Sequence, residues 1–316
     1  MYTPEQARRA YQLTPAGGRL FATDLDNQLL EQGIAQIDMP LGEGDLSSLT
    51  AGLDACIDAC PELLPDTFHV IDSRLDNSAG YVRKERKINR AGKQIEDPKS
   101  LIHFTETARE RWLNQFAHGP KVLRDFLHHG FEVQYALLDV MRDKVAELEP
   151  THANISKLYF SPERPPETLS FLRVLSYDGY EVTGRETAVA KPHYDRGGIT
   201  IQAYADAPGF WASVDGPSGE RTHYDTDAGK AYLFLGTEHD KVYGADSPLK
   251  PLWHGVDRVI PEAANYVTKR HAVILFTDAP HVNHGITAQD TLPYIHPVSN
   301  NPQPELAKPE QIEKLA

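Results

Sequence analysis

Beyond residue 150 the chain breaks into short β-rich runs, and this texture limits the fold more than any other feature. SFLRVLSYD, GGITIQAYA, GFWASVDG, KAYLFLG and HAVILFTD begin at Ser170, Gly197, Gly209, Lys230 and His271. Each is rich in β-branched and aromatic residues and bounded by Gly, Pro, Asp or Ser, as strands are. Several short strands with turn signals between them predict a β-sandwich or barrel. No helical stretch alternates with them, so a Rossmann-type parallel sheet is not expected.

The first part of the chain reads as mostly helical. Thr3-Pro4-Glu5 is a helix start, and a second helix is expected from Asp24 to Gly33. Ile34 to Met39 is strand-like. Leu46, Leu49, Leu53, Cys56, Ile57 and Cys60 recur at helical steps of three and four. From about Thr105 to Leu148 helical patterning dominates, with Leu127, Phe131, Gln134, Leu138, Met141, Val145 and Leu148 on one stripe and Pro150 ending it. The expected organisation is a helical region with short strands over 1–150, packed on a β-core over 151–316 as one cooperative unit. The segment from Asn301 is expected to be a loop and a short peripheral helix.

The chain has 316 residues, of which 40 % are hydrophobic, enough for a sizeable core. No apolar run reaches the roughly 18 residues needed to span a bilayer, and the N-terminus lacks an apolar secretory segment. Cys56 and Cys60 sit on the apolar helical stripe, where free cysteine packs as a small hydrophobe, so a reducing cytoplasm is expected. The formal charge of −13 disfavours binding to nucleic acid; it is compatible with steering of a cationic ligand, but acidity that simply keeps a protein soluble is the preferred reading. Monomer and homodimer are both compatible with the sequence.

The chemically loaded segment is Lys191-Pro192-His193-Tyr194-Asp195-Arg196-Gly197-Gly198. On a strand, His193 and Asp195 would share a face, giving two-thirds of the facial set of two histidines and one carboxylate that binds Fe(II) and leaves positions open. With 14 histidines in the chain, a His-x-Asp alone is weak; its weight comes from the β-run that follows and from a third ligand within the β-rich region. His223, His239, His254, His281 and His284 are the candidates for that ligand. His254 lies in Pro251-Leu252-Trp253-His254-Gly255-Val256, a setting suited to a half-buried strand. Sixteen residues on, Arg270 shares a strand face with Ala272 and Ile274. An arginine on an apolar face needs an anion, and guanidinium suits a carboxylate.

The pattern resembles the isopenicillin N synthase-like group of 2-oxoglutarate/Fe(II) dioxygenases, over roughly residues 30 to 280. The strand ending in a cosubstrate-binding tyrosine is similar to Leu172–Tyr177, and the family's His-x-Asp with following Gly and Thr resembles HYDRGGIT. Gly209–Gly216 echoes its "GLQV…DG" hairpin, Phe234-Leu235-Gly236-Thr237 its "NIGD" strand, and Trp253-His254-Gly255-Val256 its distal "LHRV". Gly80-Tyr81 and Asp97-Pro98-Lys99-Ser100 resemble its "GYY…D-x-KE" stretch.

The resemblance implies a distorted double-stranded β-helix, or jelly-roll, with the N-terminal helices packed on it. It implies Fe(II) held by His193, Asp195 and His254, the arginine downstream selecting His254 over His281 and His284. It further implies 2-oxoglutarate gripped by Arg270 and Tyr177, and oxidation of a small-molecule substrate by O2, with succinate and CO2 released. Hydroxylation is the default outcome, with desaturation and ring closure as variants. The basic run Arg83 to Arg90 falls where the family contributes substrate contacts, which would suit a carboxylate or phosphate; a solvated loop is the alternative and the preferred reading.

Three departures stand out. The family's Arg-x-Ser reads Arg270-His271-Ala272, which removes one hydrogen bond to the cosubstrate. The "HRV" arginine is absent, and the stretch from His254 to Arg270 is longer than usual. Retention of Asp195 argues against halogenation, since halogenases of the family replace it with a small residue. The rival readings are a same-fold Fe(II) oxidase that uses O2 without 2-oxoglutarate, a metal-dependent β-barrel isomerase or hydrolase, and a non-enzymatic protein retaining the fold.

Overall fold

The pleat of a strand sends alternate side chains to opposite faces, and the central strands here are apolar on both. The computed structural model describes residues 24–59, 80–85, 87–88, 94–96, 98–150, 152, 155–160, 170–181, 188–225, 229–243, 247–257, 266–267 and 269–277. The helices are α1 (Asp24–Gln32), α2 (Glu43–Ala59), α3 (Arg109–Gln115), α4 (Lys121–Leu148), α5 (Ile155–Phe160) and α6 (Thr237–Tyr243). The strands are β1 (Ile34–Asp38), β2 (Gly80–Lys84), β3 (Lys87–Ile88), β4 (Gln94–Glu96), β5 (Lys99–Thr105), β6 (Ser170–Tyr177), β7 (Tyr180–Glu181) and β8 (Ala188–His193). They continue with β9 (Ile199–Ala205), β10 (Phe210–Ser213), β11 (Thr222–His223), β12 (Lys230–Leu235), β13 (Trp253–Asp257), β14 (Tyr266–Val267) and β15 (Arg270–Thr277).

A seven-stranded sheet runs β1-β12-β9-β15-β6-β5-β2 and a four-stranded one runs β11-β10-β13-β8, both antiparallel throughout. On one face of the larger sheet, Ile102, Phe104, Leu172, Val174, Ile201, Leu233, Val273 and Leu275 join the helical side chains of α1, α2 and α4 in the main core. On the other face, Tyr232 and Phe234 pack against Phe210 and Ala212 of the smaller sheet, while Leu101, Leu175, Tyr177 and Ala272 meet its Val256. The larger sheet is therefore the middle layer between helices and the smaller sheet, which is why its strands read as near-continuous apolar runs.

All five β-rich runs of the sequence form strands. The helices expected at Asp24, along the Leu46 stripe and up to Leu148 are present, with Gly33 closing α1 at φ +71°. Cys56 is buried and free. The first half also supplies β1, β2 and β5 to the larger sheet; β5 goes beyond the sequence expectation, because its Leu101–Thr105 run abuts the helical pattern that follows. The expected helix at Thr3, Cys60, His281, His284 and the segment from Asn301 lie outside the described residues. All described elements fall within the unit Met1–Pro280. Among the described residues no helix is long and apolar enough to cross a membrane.

One polar cluster ties α2 to the sheet. His271 on β15 meets Asp206 through Nδ1 at 2.5 Å and Asp54 of α2 through Nε2 at 2.9 Å. Carboxylates only accept, so both ring nitrogens carry protons and the ring is an imidazolium. Ser176 of β6 donates to Asp54 at 2.8 Å and Lys269 lies 2.6 Å from it. Burial alone would depress the His271 pKa, but the two carboxylates raise it to about 9. With a folded pKa above the ordinary value near 6.5, this contribution is fully present below about pH 6.5 and is lost as the pH rises through about 9. The partly exposed carboxylates limit it to about 2 kcal/mol. Urea unfolding should show that loss between about pH 6.5 and 9 in the wild type and a flatter profile in His271→Gln; parallel profiles would remove the cluster from the account.

Candidate metal centre

His193 is the last residue of β8, and His254 stands directly opposite it on β13 in the antiparallel register. Asp195 is not on a strand, contrary to the sequence expectation; it lies in the turn between β8 and β9. It nonetheless reaches the same point. Its Oδ1 is 3.5 Å from His193 Nε2 and 3.8 Å from His254 Nε2, and one ligand atom from each residue falls within 4.8 Å of the others. The two imidazole rings are 4.5 Å apart at 52°.

Every polar atom of the three side chains that does not face this point is already engaged. His193 Nδ1 donates to the Lys191 carbonyl at 2.7 Å and His254 Nδ1 to the Leu252 carbonyl at 3.0 Å. A carbonyl cannot donate, so each Nδ1 carries the proton and each Nε2 keeps its lone pair for a metal. Thr200 Oγ1 donates to Asp195 Oδ2 at 2.7 Å, leaving Oδ1 to face the two imidazoles. The remaining surface of His254 is lined by Phe234 and Phe210, with ring centroids at 4.9 and 5.8 Å.

Burial by itself would raise the Asp195 pKa, but the neighbouring His254 and His193 and the Thr200 hydrogen bond hold it well below the usual carboxylate range. Burial depresses His254 below its ordinary value. At His193 burial also opposes the charged form, yet the adjacent Asp195 prevails and the pKa rises. The arrangement is one anionic oxygen and two imidazole nitrogens converging on a common point, a donor set suited to a divalent transition metal with open positions.

The turn bearing Asp195 is fixed through its backbone. Thr237 N–H donates to the Asp195 carbonyl at 2.8 Å, Gly236 N–H to Gly198 at 2.9 Å, and Gly198 N–H to Thr277 at 2.9 Å. The approach is so close that a Cβ on Gly236 would lie 2.1 Å from the Gly197 oxygen, and one on Gly198 would lie 2.2 Å from the Tyr159 hydroxyl. Glycine is required at both positions for lack of space.

Arg270 and Tyr177, the other residues singled out in the sequence, are register partners across β15 and β6 on the enclosed face. Arg270 is 5 % exposed, and its Nε donates to the Ala207 carbonyl at 3.3 Å. Among the described residues no carboxylate makes an ion pair with it, and burial lowers its pKa. Ala272 lies on the same face in the cluster with Leu101, Leu175 and Tyr177. His271 points to the helical face and cannot stand in for the missing family serine. Of the other histidine candidates, His223 is exposed on β11 and His239 is buried on α6 beside His152. The carbonyls of Lys191 and Leu252 were not legible in the sequence; Thr200 was, as the threonine of HYDRGGIT, though not its bond to Asp195.

No family model matches the chain, and no curated protein matches it. Solved structures do. A full-length Neurospora crassa protein in complex with alpha-KG aligns over 88 % of this chain and 80 % of its own at 12 % identity, TM-score 0.61. A Caulobacter crescentus protein assigned to the 2OG-Fe(II) oxygenase family aligns over 90 % and 89 % at 16 % identity, TM-score 0.62. Dioxygenase for auxin oxidation 1 from Arabidopsis thaliana, in its 2-oxoglutarate complex, aligns over 88 % and 88 % at 15 % identity, TM-score 0.58. This chain has the fold of the 2-oxoglutarate/Fe(II) oxygenases. Within that fold, the His-Asp-His set lies where β8 and β13 of the smaller sheet meet the turn before β9, with Asp195 and His254 buried and His193 partly exposed.

Thr200→Val removes the hydroxyl that holds Asp195 Oδ2 and keeps the shape. Loss of such an outer partner typically weakens metal binding about 10- to 100-fold. Anaerobic competition titration with Fe(II) measures it; a change below about threefold would mean that Asp195 is oriented by other contacts.

Proposed function

We propose that the chain is a 2-oxoglutarate- and Fe(II)-dependent dioxygenase acting on a small organic molecule, its two facing sheets forming the distorted double-stranded β-helix of such enzymes. The observation that carries this reading is the convergence of His193 Nε2, His254 Nε2 and Asp195 Oδ1 on one point, with a buried arginine on the face of the larger sheet that meets the smaller one. The Neurospora crassa and auxin dioxygenase structures, named with alpha-KG or 2-oxoglutarate, support it. A second complex of the Neurospora crassa protein, named with thymine, supports a small organic substrate.

His193, Asp195 and His254 would hold the iron. When bound with 2-oxoglutarate and O2, it supplies the oxidation of an unactivated C–H bond, with succinate and CO2 as co-products. The chain's own residues orient and enclose. Lys191 and Leu252 fix the two imidazoles, Thr200 fixes the carboxylate, and Phe210 and Phe234 keep water from His254. Arg270 would meet the distal carboxylate of 2-oxoglutarate with Tyr177 opposite, so that a cation already buried gains an anion that no described residue supplies as an ion pair. Hydroxylation is the outcome expected of the default chemistry. The same-fold oxidase that dispenses with 2-oxoglutarate is the second reading, and Arg270 separates the two.

Truncating one partner of a buried charge-assisted pair costs about 2–5 kcal/mol, so Arg270→Ala should raise the 2-oxoglutarate Kd about thirtyfold or more. His193→Ala, Asp195→Ala and His254→Ala should each abolish succinate release with the fold intact by circular dichroism. Anaerobic titration of 2-oxoglutarate into the Fe(II) protein, followed by the visible band of the chelate, reads the affinities. An Arg270→Ala affinity equal to wild type would favour the oxidase. In the same titration Ala272→Ser should bind 2-oxoglutarate about two- to twelvefold more tightly through one added hydrogen bond; weaker binding would mean that Ala272 does not border the cosubstrate.

A further inference from the structure

Arg173 is a second cation on the enclosed face of the larger sheet, and the metal centre and its cosubstrate do not account for it. It stands four residues before Tyr177 on β6, roughly 13 Å along the strand, between His103 of β5 and Ile274 of β15. Its Nε donates to His103 Nε2 at 2.8 Å. His103 is buried and lies against Phe171, with centroids 4.8 Å apart. The guanidinium carbon sits 4.6 Å from the centroid of Phe276 and 5.5 Å from that of Phe171, and those two rings stack on each other at 4.8 Å. A planar cation is thus fixed over one aromatic ring and along one edge by an imidazole.

The terminal NH2 groups of Arg173 make no hydrogen bond and no ion pair to any described residue. Burial pushes its pKa down, opposed chiefly by the charge of Asp195. Phe276, beneath the guanidinium, is the register partner of Thr200, the residue that holds Asp195. Arg173 therefore overlooks the metal ligands from a different stretch of the same face as Arg270. Arg83, the first residue of the basic run that the sequence offered as a substrate contact or a solvated loop, is already engaged, with Asp178, Ser100 and Glu85.

We propose that Arg173 anchors a carboxylate on the substrate, so that the enzyme acts on small organic acids whose hydrocarbon body lies along Phe171 and Phe276. A carboxylate matches the free edge of the guanidinium, which offers two parallel N–H donors. The two arginines then divide two anions: Arg270 takes the cosubstrate and Arg173 the substrate. The chemistry rests on the dioxygenase reading, whereas the binding preference is measured independently of it.

The test uses the full chain loaded anaerobically with Fe(II) and 2-oxoglutarate. A panel of monocarboxylates of graded size, from propionate and hexanoate to phenylacetate and 3-phenylpropionate, is titrated calorimetrically beside the matching primary amides. The wild type should bind at least one acid about tenfold or more tightly than its amide. Arg173→Gln should weaken that acid about thirtyfold or more while leaving the amide and the 2-oxoglutarate Kd within about twofold of wild type. Arg173→Lys, which keeps the charge without the fork, should fall between. If Arg173→Gln does not fold, Arg173→Lys and His103→Gln carry the test, each expected to reduce the acid-over-amide preference about threefold or more. The proposal is overturned if no acid is preferred in the wild type, if the preference survives the variants, or if the variants instead weaken 2-oxoglutarate. Failure of the dioxygenase reading looks different: 2-oxoglutarate does not bind the wild-type Fe(II) protein, and the acid–amide comparison is then made on the Fe(II) protein alone.

Discussion

A carboxylate buried between two apolar sheets is costly unless charge and hydrogen bonds meet it on every side, and Asp195 is such a group. Thr200 takes one oxygen; the other faces two imidazoles whose opposite nitrogens are tied to backbone carbonyls. Each constraint removes an alternative. The histidines cannot turn away without losing a carbonyl, and the carboxylate cannot rotate without losing the threonine. What remains is one negative oxygen and two lone pairs aimed at a common point, with a divalent cation as their natural complement.

The scaffold supplies this arrangement through its layering. The larger sheet is covered by helices on one face and by the smaller sheet on the other, so Asp195, His254 and Arg270 are buried and their charges act at short range with little screening, while His193 at the end of β8 stays partly exposed. The register of β8 against β13 puts His193 opposite His254, and that of β6 against β15 puts Tyr177 opposite Arg270. The glycines at 198 and 236 let the Asp195 turn press against α5 and the start of α6. Backbone hydrogen bonds thus pin the turn where Asp195 meets the two histidines. On the other face of β15, His271 is spent on holding α2.

Much of this was legible in the sequence. The β-rich runs announced themselves because strands buried on both faces must be apolar throughout, and the long helix because its stripe keeps a helical period. His193, Asp195 and His254, which the structure brings within 4.8 Å of one another, were picked out by residue type, order along the chain and the family resemblance. What escaped depended on pairing rather than pattern. Asp195 reads as a strand residue two along from His193, yet the chain turns there, and its direction is set by Thr200 and by backbone bonds from Gly236 and Thr237 that no local motif encodes. Strand β5 was hidden against a helical stretch. Arg173 drew no attention in the sequence; only the pleat and its partners on β5 and β15 show that it faces the smaller sheet, its terminal NH2 groups unbonded among the described residues. His271 sits between Arg270 and Ala272, and alternation alone would have sent it to the helical face, where two distant carboxylates wait.

The central claim is that His193, Asp195 and His254 hold one metal on three sides and leave the others open. Iron K-edge X-ray absorption of the anaerobically Fe(II)-loaded protein tests it most directly. The account predicts one iron per chain, roughly six oxygen or nitrogen neighbours without sulfur, and outer-shell scattering from two imidazoles. A closed four-coordinate site, a sulfur neighbour, or a spectrum unchanged when His254 is replaced by alanine would contradict it.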